Sequence, residues 1–269
     1  MDGSLTRENA ESHADLDPSS LLGPTLAPFT RRFFTEAGLK PGMRVLDVCS
    51  VSGDVAFIAR EIVGETGHVV GFDEPPAVVA YANERASYRK LENVEFVAGT
   101  LENPPSGQQF DAVVGRLVLM YRKDPARDLR GIVQLLRPGG LVLFQEVDML
   151  AATSLPRAVH VEKAREWILD TFRLADIDPQ MGLKLHPTYT SAGLVNIQMR
   201  VDGLIGGSES ALPTLLSDVA ETIIPPFHPV ASTDELDELE ERIRNELAES
   251  GGVMSSALLI SAWATRPDR

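Results

Sequence analysis

Short runs of branched apolar residues alternate with amphipathic segments over the first half of the chain. Between these runs, apolar residues recur at intervals of three and four, which is the spacing of one face of a helix. Strands with little polar alternation are typical of a sheet covered by helices on both faces, and repeated strand–helix units predict a parallel sheet. The predicted strands are Met43–Val48, His68–Phe72, Val94–Ala98, Phe110–Gly115 and Leu141–Val147.

The regular alternation of predicted strands and helices ends after the fifth strand. Residues 156–176 have the periodicity of one long helix, Val195–Ile205 and Ser256–Ala264 are predicted strands, and Ser232 with Glu235 forms a capping box before a further helix. We expect the later helices to form a cap over the carboxyl ends of the strands, where ligands bind in such folds. The expected parts are a flexible tail (1–18), a core with an N-terminal helix (19–150), a helical cap with the sixth strand (151–255) and the last core strand (256–269).

Charge and cysteine content narrow the function classes. The 269 residues carry a formal net charge of −14, which disfavours nucleic acid and anionic membranes as partners. Cys49 is the single cysteine, so no internal disulfide forms and a reducing compartment is expected. No apolar run reaches the length of a membrane span, and no secretory signal pattern is seen at the N-terminus. We therefore expect a cytoplasmic protein.

The stretch from Val45 to Asp54 carries the main functional signal. A short strand leads to Asp47, then to a tight turn, and then to a helix that Gly53 opens. Such a helix start offers free N–H groups and a positive dipole end to a nucleotide-like cofactor. Asp73 ends the second strand 20 residues after Gly53, the spacing expected for a carboxylate that binds ribose hydroxyls. The alternatives are an ordinary turn residue for Asp47 and a helix N-cap for Asp73.

Four stretches together resemble the class I S-adenosylmethionine (SAM)-dependent methyltransferases, over roughly residues 25–265. The resemblance implies a Rossmann-like α/β fold whose seven-stranded sheet is mostly parallel, with an antiparallel final strand. It implies SAM, or its product S-adenosylhomocysteine (SAH), as cofactor and a small-molecule acceptor from metabolism or natural-product biosynthesis. The sequence allows a homodimer. The stretches are Val45–Val48, Val69–Asp73, Phe110–Val114 and Leu136–Gly140.

The resemblance also implies which residues bind the cofactor. These are Asp47, Cys49, Gly53, Asp73, Glu74, Thr100, Leu101 and Arg116. The alternative for Arg116 is a structural pair with an acid. Cys49 and Val51 stand where the family pattern has glycine, and Thr100 follows Gly99 where the family often has aspartate, with Glu102 as a substitute acid. Glycine is usual there because the backbone touches the cofactor, sometimes at positive φ.

Two interpretations of the altered turn stay open. In the first, the backbone keeps its shape and SAM still binds. In the second, the fold serves a reaction without methyl transfer, such as a cyclisation, with SAM bound non-reactively or absent. A cofactor-free binding protein is a third class.

Methyl transfer depends mostly on proximity and alignment, so a strong catalytic signature is not required. Glu146, at the end of the fifth strand, and His186, before Pro187, are the candidate bases. The alternatives are a solvated strand end for Glu146 and an ordinary surface or core residue for His186. No zinc-site spacing is seen, because Cys49 has no second cysteine and the histidines are scattered.

Overall fold

The structure is a computed structural model that describes residues 21–105, 107–224 and 231–268, so the predicted tail over 1–18 lies outside the described residues. The chain divides into two compact units. The first comprises Gly23–Glu146, Gly182–Arg200 and the last strand from Ile260 onward, and the second contains Val147–Met181 and Val201–Leu259. The segment 182–200 thus groups with the core unit. The boundaries expected at 150 and 255, and the placement of a cap, stay predictions.

A seven-stranded mixed sheet with one antiparallel strand organises the fold, as predicted. The strand order is β3-β2-β1-β4-β5-β10-β7, and the pairs β1–β2, β2–β3, β1–β4 and β4–β5 are parallel. The order reverses between β1 and β4, which creates the crevice where open α/β sheets bind ligands. The strands are β1 (Arg44–Val48), β2 (His68–Asp73), β3 (Val94–Ala98), β4 (Phe110–Arg116), β5 (Leu136–Asp148), β7 (Val195–Asp202) and β10 (Leu258–Thr265).

Five helices accompany this sheet: α1 (Leu22–Glu36), α2 (Asp54–Val63), α3 (Pro76–Tyr88), α4 (Pro125–Val133) and α6 (Met181–Ser191). α2 is amphipathic and buries Val55, Phe57 and Ile58 in the same core as Phe33 of α1 and Phe96 of β3. This core lies beside β1 and β2, and it fixes the start of α2 against the sheet.

In the first unit, the structure differs from the predictions at the start of β5 and around Pro187. The run Pro138-Gly139-Gly140 was expected to end a helix before a strand at Leu141, but it lies inside β5. The β4–β5 register shifts between Phe110 and Ala112, because β5 has extra residues between Leu136 and Leu141. Gly139, at φ +73°, lies in this irregular part of β5. The segment from Pro187 to Ala192 was predicted only as a short segment that leads to a strand, yet all of it except Ala192 lies in α6. The buried residues Leu185 and Tyr189 lie on one helix face and override the proline.

The second unit contains three packed helices and a small sheet. Buried apolar residues on α5, α7 and α9 face one another, including Ile168, Leu216 and Ile243. The predicted strand Val195–Ile205 is divided between β7 and β8, and the helix after Ser232 is divided into α8 and α9. The Ser232–Glu235 capping box is present as predicted. The elements are β6 (Thr153–Leu155), α5 (Val159–Leu174), β8 (Ile205–Gly206), α7 (Leu212–Ile223), α8 (Thr233–Asp237), α9 (Leu239–Ser250) and β9 (Val253–Ser255).

Within the described ranges, none of the helices combines the length and the apolar composition that crossing a membrane requires.

Candidate functional site

The turn from β1 to α2 has an unusual backbone. Cys49 and Val51 have φ values of +53° and +41°, and Gly53 has φ +84°. A left-handed conformation costs an L-residue about 1–2 kcal/mol, and it is least expected for a β-branched side chain. The turn therefore keeps positive φ at all three positions of the glycine pattern, although two of the glycines are replaced.

Hydrogen bonds from β2 and α3 hold this turn in place. The backbone N–H of Val51 donates to Oδ2 of Asp73 at 2.9 Å, and that of Ser50 donates to the carbonyl of Phe72 at 3.1 Å. The guanidinium of Arg85 donates to the carbonyl of Ser52 and forms an ion pair with Asp54 at 2.9 Å. These contacts offset the backbone strain. Arg85 was not predicted as a site residue, because it lies on α3, 33 residues from Ser52 along the chain.

Gly53 is the N-cap of α2, and two constraints require glycine there. Its φ of +84° is left-handed, and a Cβ atom would lie 2.6 Å from Cζ of Phe96. The sequence predicted a helix-opening glycine with close helix–strand packing, and the structure has both features. A cofactor contact through the backbone of Gly53 stays a prediction.

Asp47 is the most unusual charged residue of the site. It lies in β1 with 1% of its surface exposed, and among the described residues neither carboxylate oxygen has a hydrogen-bond partner. Burial raises the pKa of Asp47 well above its ordinary value. The positive charge of Arg116 and the nearby backbone N–H of Ala56 lower this pKa only in part, and the charges of Asp73 and Asp54 raise it further. A buried carboxylate without partners is costly, so this position suits a cationic or hydrogen-bonding ligand.

Asp73 is placed at the end of β2 beside the turn. Its Oδ2 accepts the Val51 N–H, and its Oδ1 accepts the N–H of Glu74 at 2.8 Å. Burial raises the pKa of Asp73, while the two N–H donors oppose that rise. The alternative role as a helix cap is wrong, because the N-cap of α3 is Pro75 and no side chain caps that helix. A carboxylate oxygen accepts more than one hydrogen bond, so acceptor capacity remains for hydroxyl groups.

The segment after β3 was predicted to meet the adenine. Oγ1 of Thr100 accepts the N–H of Asn103 at 3.0 Å, and Leu101 is buried. Glu102, the expected substitute acid, is largely exposed and forms an ion pair with Arg122. Desolvation raises the pKa of Glu102, but hydrogen bonds from its own backbone N–H and from Arg122 outweigh this and lower the pKa. The adenine role of Thr100 and Leu101 stays a prediction, and Glu102 is engaged elsewhere.

Arg116 ends β4 and connects to a buried polar chain. Its Nη1 donates to Oγ1 of Thr30 at 3.3 Å, Thr30 donates to Oε1 of Gln145 at 2.7 Å, and Gln145 donates to Oγ of Ser261 at 2.8 Å. Thr30, Gln145 and Ser261 were not predicted as site residues from the sequence. The available signal was Gln145, a buried polar residue directly after the apolar run Leu141–Phe144. This series of hydrogen bonds holds Arg116, whose positive charge lowers the pKa of Asp47.

Glu146 lies within β5 and is fully buried, not at a solvated strand end. Its Oε1 accepts the N–H groups of Val118 and Leu119 at 2.9 and 2.7 Å, and its Oε2 accepts that of Met120 at 3.3 Å. The carboxylate is therefore committed to the backbone of the loop after β4. This geometry gives a base role for Glu146 no support and favours a role in holding the loop.

His186, the other predicted base, lies on α6 and is exposed, whereas its neighbours Leu185 and Tyr189 are buried. A catalytic role for His186 stays a prediction without geometric support. In the second unit, Nδ1 of His160 is 3.0 Å from Oε2 of Glu246, which also accepts the backbone N–H of His160. His160 therefore helps to hold the start of α5 against Glu246 of α9.

The fold and the site define an α/β domain with a cofactor-type turn at the strand-order reversal. The chain belongs to the methyltransferase domain family, which matches residues 39–193, more than half of the chain. This confirms the resemblance to class I SAM-dependent methyltransferases and, with it, SAM as the cofactor of the family.

The curated relatives match only part of this chain. A 2-phytyl-1,4-naphtoquinone methyltransferase of Synechococcus elongatus is 38% identical over 104 residues, which cover 37% of this chain and 44% of that protein. The chain spans less than half the length of the first curated relatives that it matches.

Two solved structures show the same fold. A putative methyltransferase from Bacillus halodurans has a TM-score of 0.60 at 19% identity, covering 88% of this chain and 98% of that one. The cyclase SpnF has a TM-score of 0.55 at 18% identity, covering 95% and 87%.

Proposed function

We propose that this protein is a SAM-dependent methyltransferase that acts on a small organic acceptor. The observation that carries the proposal is the buried carboxylate of Asp47, which lacks partners among the described residues and lies at the strand-order reversal. A group of this kind is retained at a cost in stability, and a cationic ligand would remove that cost.

The residues present fit the cofactor. Asp47 is suited to the ammonium group of SAM, directly or through water, and the acceptor capacity left on Asp73 is suited to the ribose hydroxyls. The turn 49–53 presents backbone at positive φ and leads to the N-terminus of α2. When bound, SAM supplies an electrophilic methyl group on a sulfonium centre. The protein's own residues then bind, orient and shield the reacting groups from water.

The hydrogen bonds of Glu146 limit which kind of acceptor the protein could methylate. Its carboxylate is occupied by three N–H groups, so it is a poor base for an unreactive hydroxyl. We therefore propose an acceptor that needs little deprotonation, such as a thiol, an acidic phenol or hydroquinone, or a stabilised carbanion. The naphtoquinone in the name of the relative is the oxidised counterpart of such a hydroquinone.

A second candidate is an enzyme of the same fold that does not transfer methyl. The observation that favours it is the pair Cys49 and Val51, which add side chains where backbone alone is expected to meet the cofactor. The likeness to the cyclase concerns the fold and adds no argument about chemistry. If the two side chains only crowd the site, the double variant Cys49→Gly/Val51→Gly binds SAM more tightly; unchanged or lost binding refutes simple crowding.

The deciding experiment uses SAM with a labelled methyl group. The purified protein is first analysed by mass spectrometry for bound SAM or SAH and then incubated with labelled SAM and a panel of thiols, phenols, hydroquinones and amines. Methyltransferase activity predicts labelled product and SAH in equal amounts. An unlabelled product favours the second candidate, and a protein that binds neither SAM nor SAH at millimolar concentration rules out both.

We also propose that the protein works in the cytoplasm, without nucleic acid or membrane partners, and that it can form a homodimer. The net charge of −14 supports the absence of nucleic-acid partners, because it repels a phosphate backbone. Size-exclusion chromatography with light scattering tests the homodimer. An elution mass of one chain would contradict it.

A further inference from the structure

The loop after β4 occupies a particular place in the fold. β4 pairs with β1, and the strand order reverses between these two strands, so residues 117–120 begin one wall of the crevice at the strand ends. Leu117 opens the loop in a left-handed conformation at φ +57°, and its N–H donates to the carbonyl of Gln145 at 2.8 Å. A leucine at positive φ is strained, so neighbouring contacts must fix it.

A single side chain holds the three residues that follow Leu117. The three consecutive N–H groups of Val118, Leu119 and Met120 all donate to the carboxylate of Glu146. These three residues and Glu146 are buried, so water does not compete for the bonds. An array of successive backbone N–H groups is an anion-binding arrangement, and here the protein's own carboxylate fills it.

We propose that Glu146 is a positioning residue whose carboxylate fixes residues 117–120 as the acceptor-side wall of the cofactor crevice. This inference rests on the proposed function and assigns the loop to it. Glu146 does not touch the reacting atoms. It acts through the backbone of the loop, so its removal should impair turnover more than cofactor binding.

The isosteric variant Glu146→Gln separates positioning from folding. The amide oxygen still accepts the Val118 and Leu119 N–H groups, but the amide nitrogen is a donor and cannot accept the Met120 N–H. The matched control is Asp111→Asn. Asp111 lies near the start of the same strand β4, at its opposite end, and its Oδ2 also accepts a backbone N–H, from Arg44 at 2.8 Å.

The experiment combines amide hydrogen exchange with kinetics. SAH should slow exchange at residues 118–120 of the wild-type protein. In Glu146→Gln we expect exchange there to be about tenfold faster, the effect of losing one hydrogen bond, with the protection by SAH lost. With the acceptor found by label transfer, kcat should fall about tenfold while the SAH Kd and the KM for SAM change less than about threefold. Asp111→Asn should change none of these values.

Three results would overturn the inference. Exchange at 118–120 that is no faster in Glu146→Gln than in Asp111→Asn would show that the carboxylate does not hold the loop. Faster exchange with unchanged kcat would show a purely structural role. If the wild-type protein binds no SAH, the proposed function itself fails and the positioning role falls with it. That result differs from the other two, in which SAH binds and only the Glu146 variant behaves unexpectedly.

Discussion

The turn over residues 49–53 and the loop over residues 117–120 follow neighbouring parallel strands, yet the buried acids Asp47 and Glu146 beside them differ in whether their oxygens are occupied. At the first, the nearby acid Asp47 is buried without partners, and two residues other than glycine have positive φ. At the second, the acid Glu146 accepts three backbone N–H groups. The same type of side chain therefore has two roles, and what separates them is whether its oxygens are already occupied.

This difference indicates where the fold gives up stability. An unpaired buried carboxylate costs free energy that a ligand can recover, whereas a carboxylate that accepts three backbone N–H groups holds its segment in place before any ligand arrives. We interpret the turn as the part organised for a ligand and the loop as a fixed wall.

The largest expected effect on stability comes from Glu146→Ala. It leaves three buried N–H groups without acceptors, at about 1–3 kcal/mol each, so we expect unfolding free energy to fall by about 3–5 kcal/mol. Urea unfolding measures this loss. The control Asp148→Ala removes an acceptor of one N–H, that of Leu150. A loss for Glu146→Ala no greater than that of the control would contradict the three-bond assignment.

Gly53→Ala should follow, with a loss of about 2–4 kcal/mol, because the added Cβ meets Phe96 at 2.6 Å and the residue also has positive φ. Gly251, at the C-terminal end of α9, is also left-handed at φ +61° and has nothing within 4 Å of an added Cβ. Gly251→Ala should therefore cost only about 1 kcal/mol, the conformational part. Equal thermal unfolding shifts for the two variants would show that packing against Phe96 is unimportant.

Asp47 should make the stability of the SAM-free protein depend on pH. Since burial raises its pKa in the folded state, the native state holds a proton that the unfolded state releases, and stability falls as pH rises from about 4 through the raised pKa. Asp47→Asn removes this dependence and should stabilise the protein by about 1–3 kcal/mol at pH 8, with a smaller gain at pH 4. A variant that is less stable than wild type at pH 8 would argue that Asp47 is paired in solution.

The smallest expected effect is that of Val51→Gly. Relief of left-handed strain, about 1–2 kcal/mol, exceeds the conformational cost of glycine, about 0.5–1 kcal/mol, so we expect a gain near 1 kcal/mol. Denaturant titration of the single variant measures it, beside Cys49→Gly, whose unbranched side chain should gain less. Destabilisation by Val51→Gly would mean that the valine side chain packs usefully.

The sequence predicted the sheet and the turn because their signals are local. Val45 to Asp54 shows a strand, an acid and a helix-opening glycine within one short stretch, and Asp73 lies at the spacing that its role requires. Asp47 and Asp73 both border the turn in the structure, where Asp73 accepts a hydrogen bond from the backbone N–H of Val51.

Other features depend on contacts between distant segments and had no local signal. The three N–H groups that bind Glu146 lie 26–28 residues away along the chain, and Thr30 lies 115 residues from Gln145. Helix α6 contains a proline and was missed because the burial of Leu185 and Tyr189 outweighs local propensity. Glu146 was selected from its position after an apolar run, which did not show that its oxygens are occupied.

The most direct test of the central claim, that Asp47 and the adjoining turn form a SAM site, is isothermal calorimetry with SAH on the wild-type protein, Asp47→Asn and Asp111→Asn. We predict binding by the wild type, affinity at least about tenfold weaker in Asp47→Asn because a charge-assisted hydrogen bond is lost, and unchanged affinity in Asp111→Asn. Equal affinity in all three proteins, or no binding by the wild type at millimolar SAH, would contradict it.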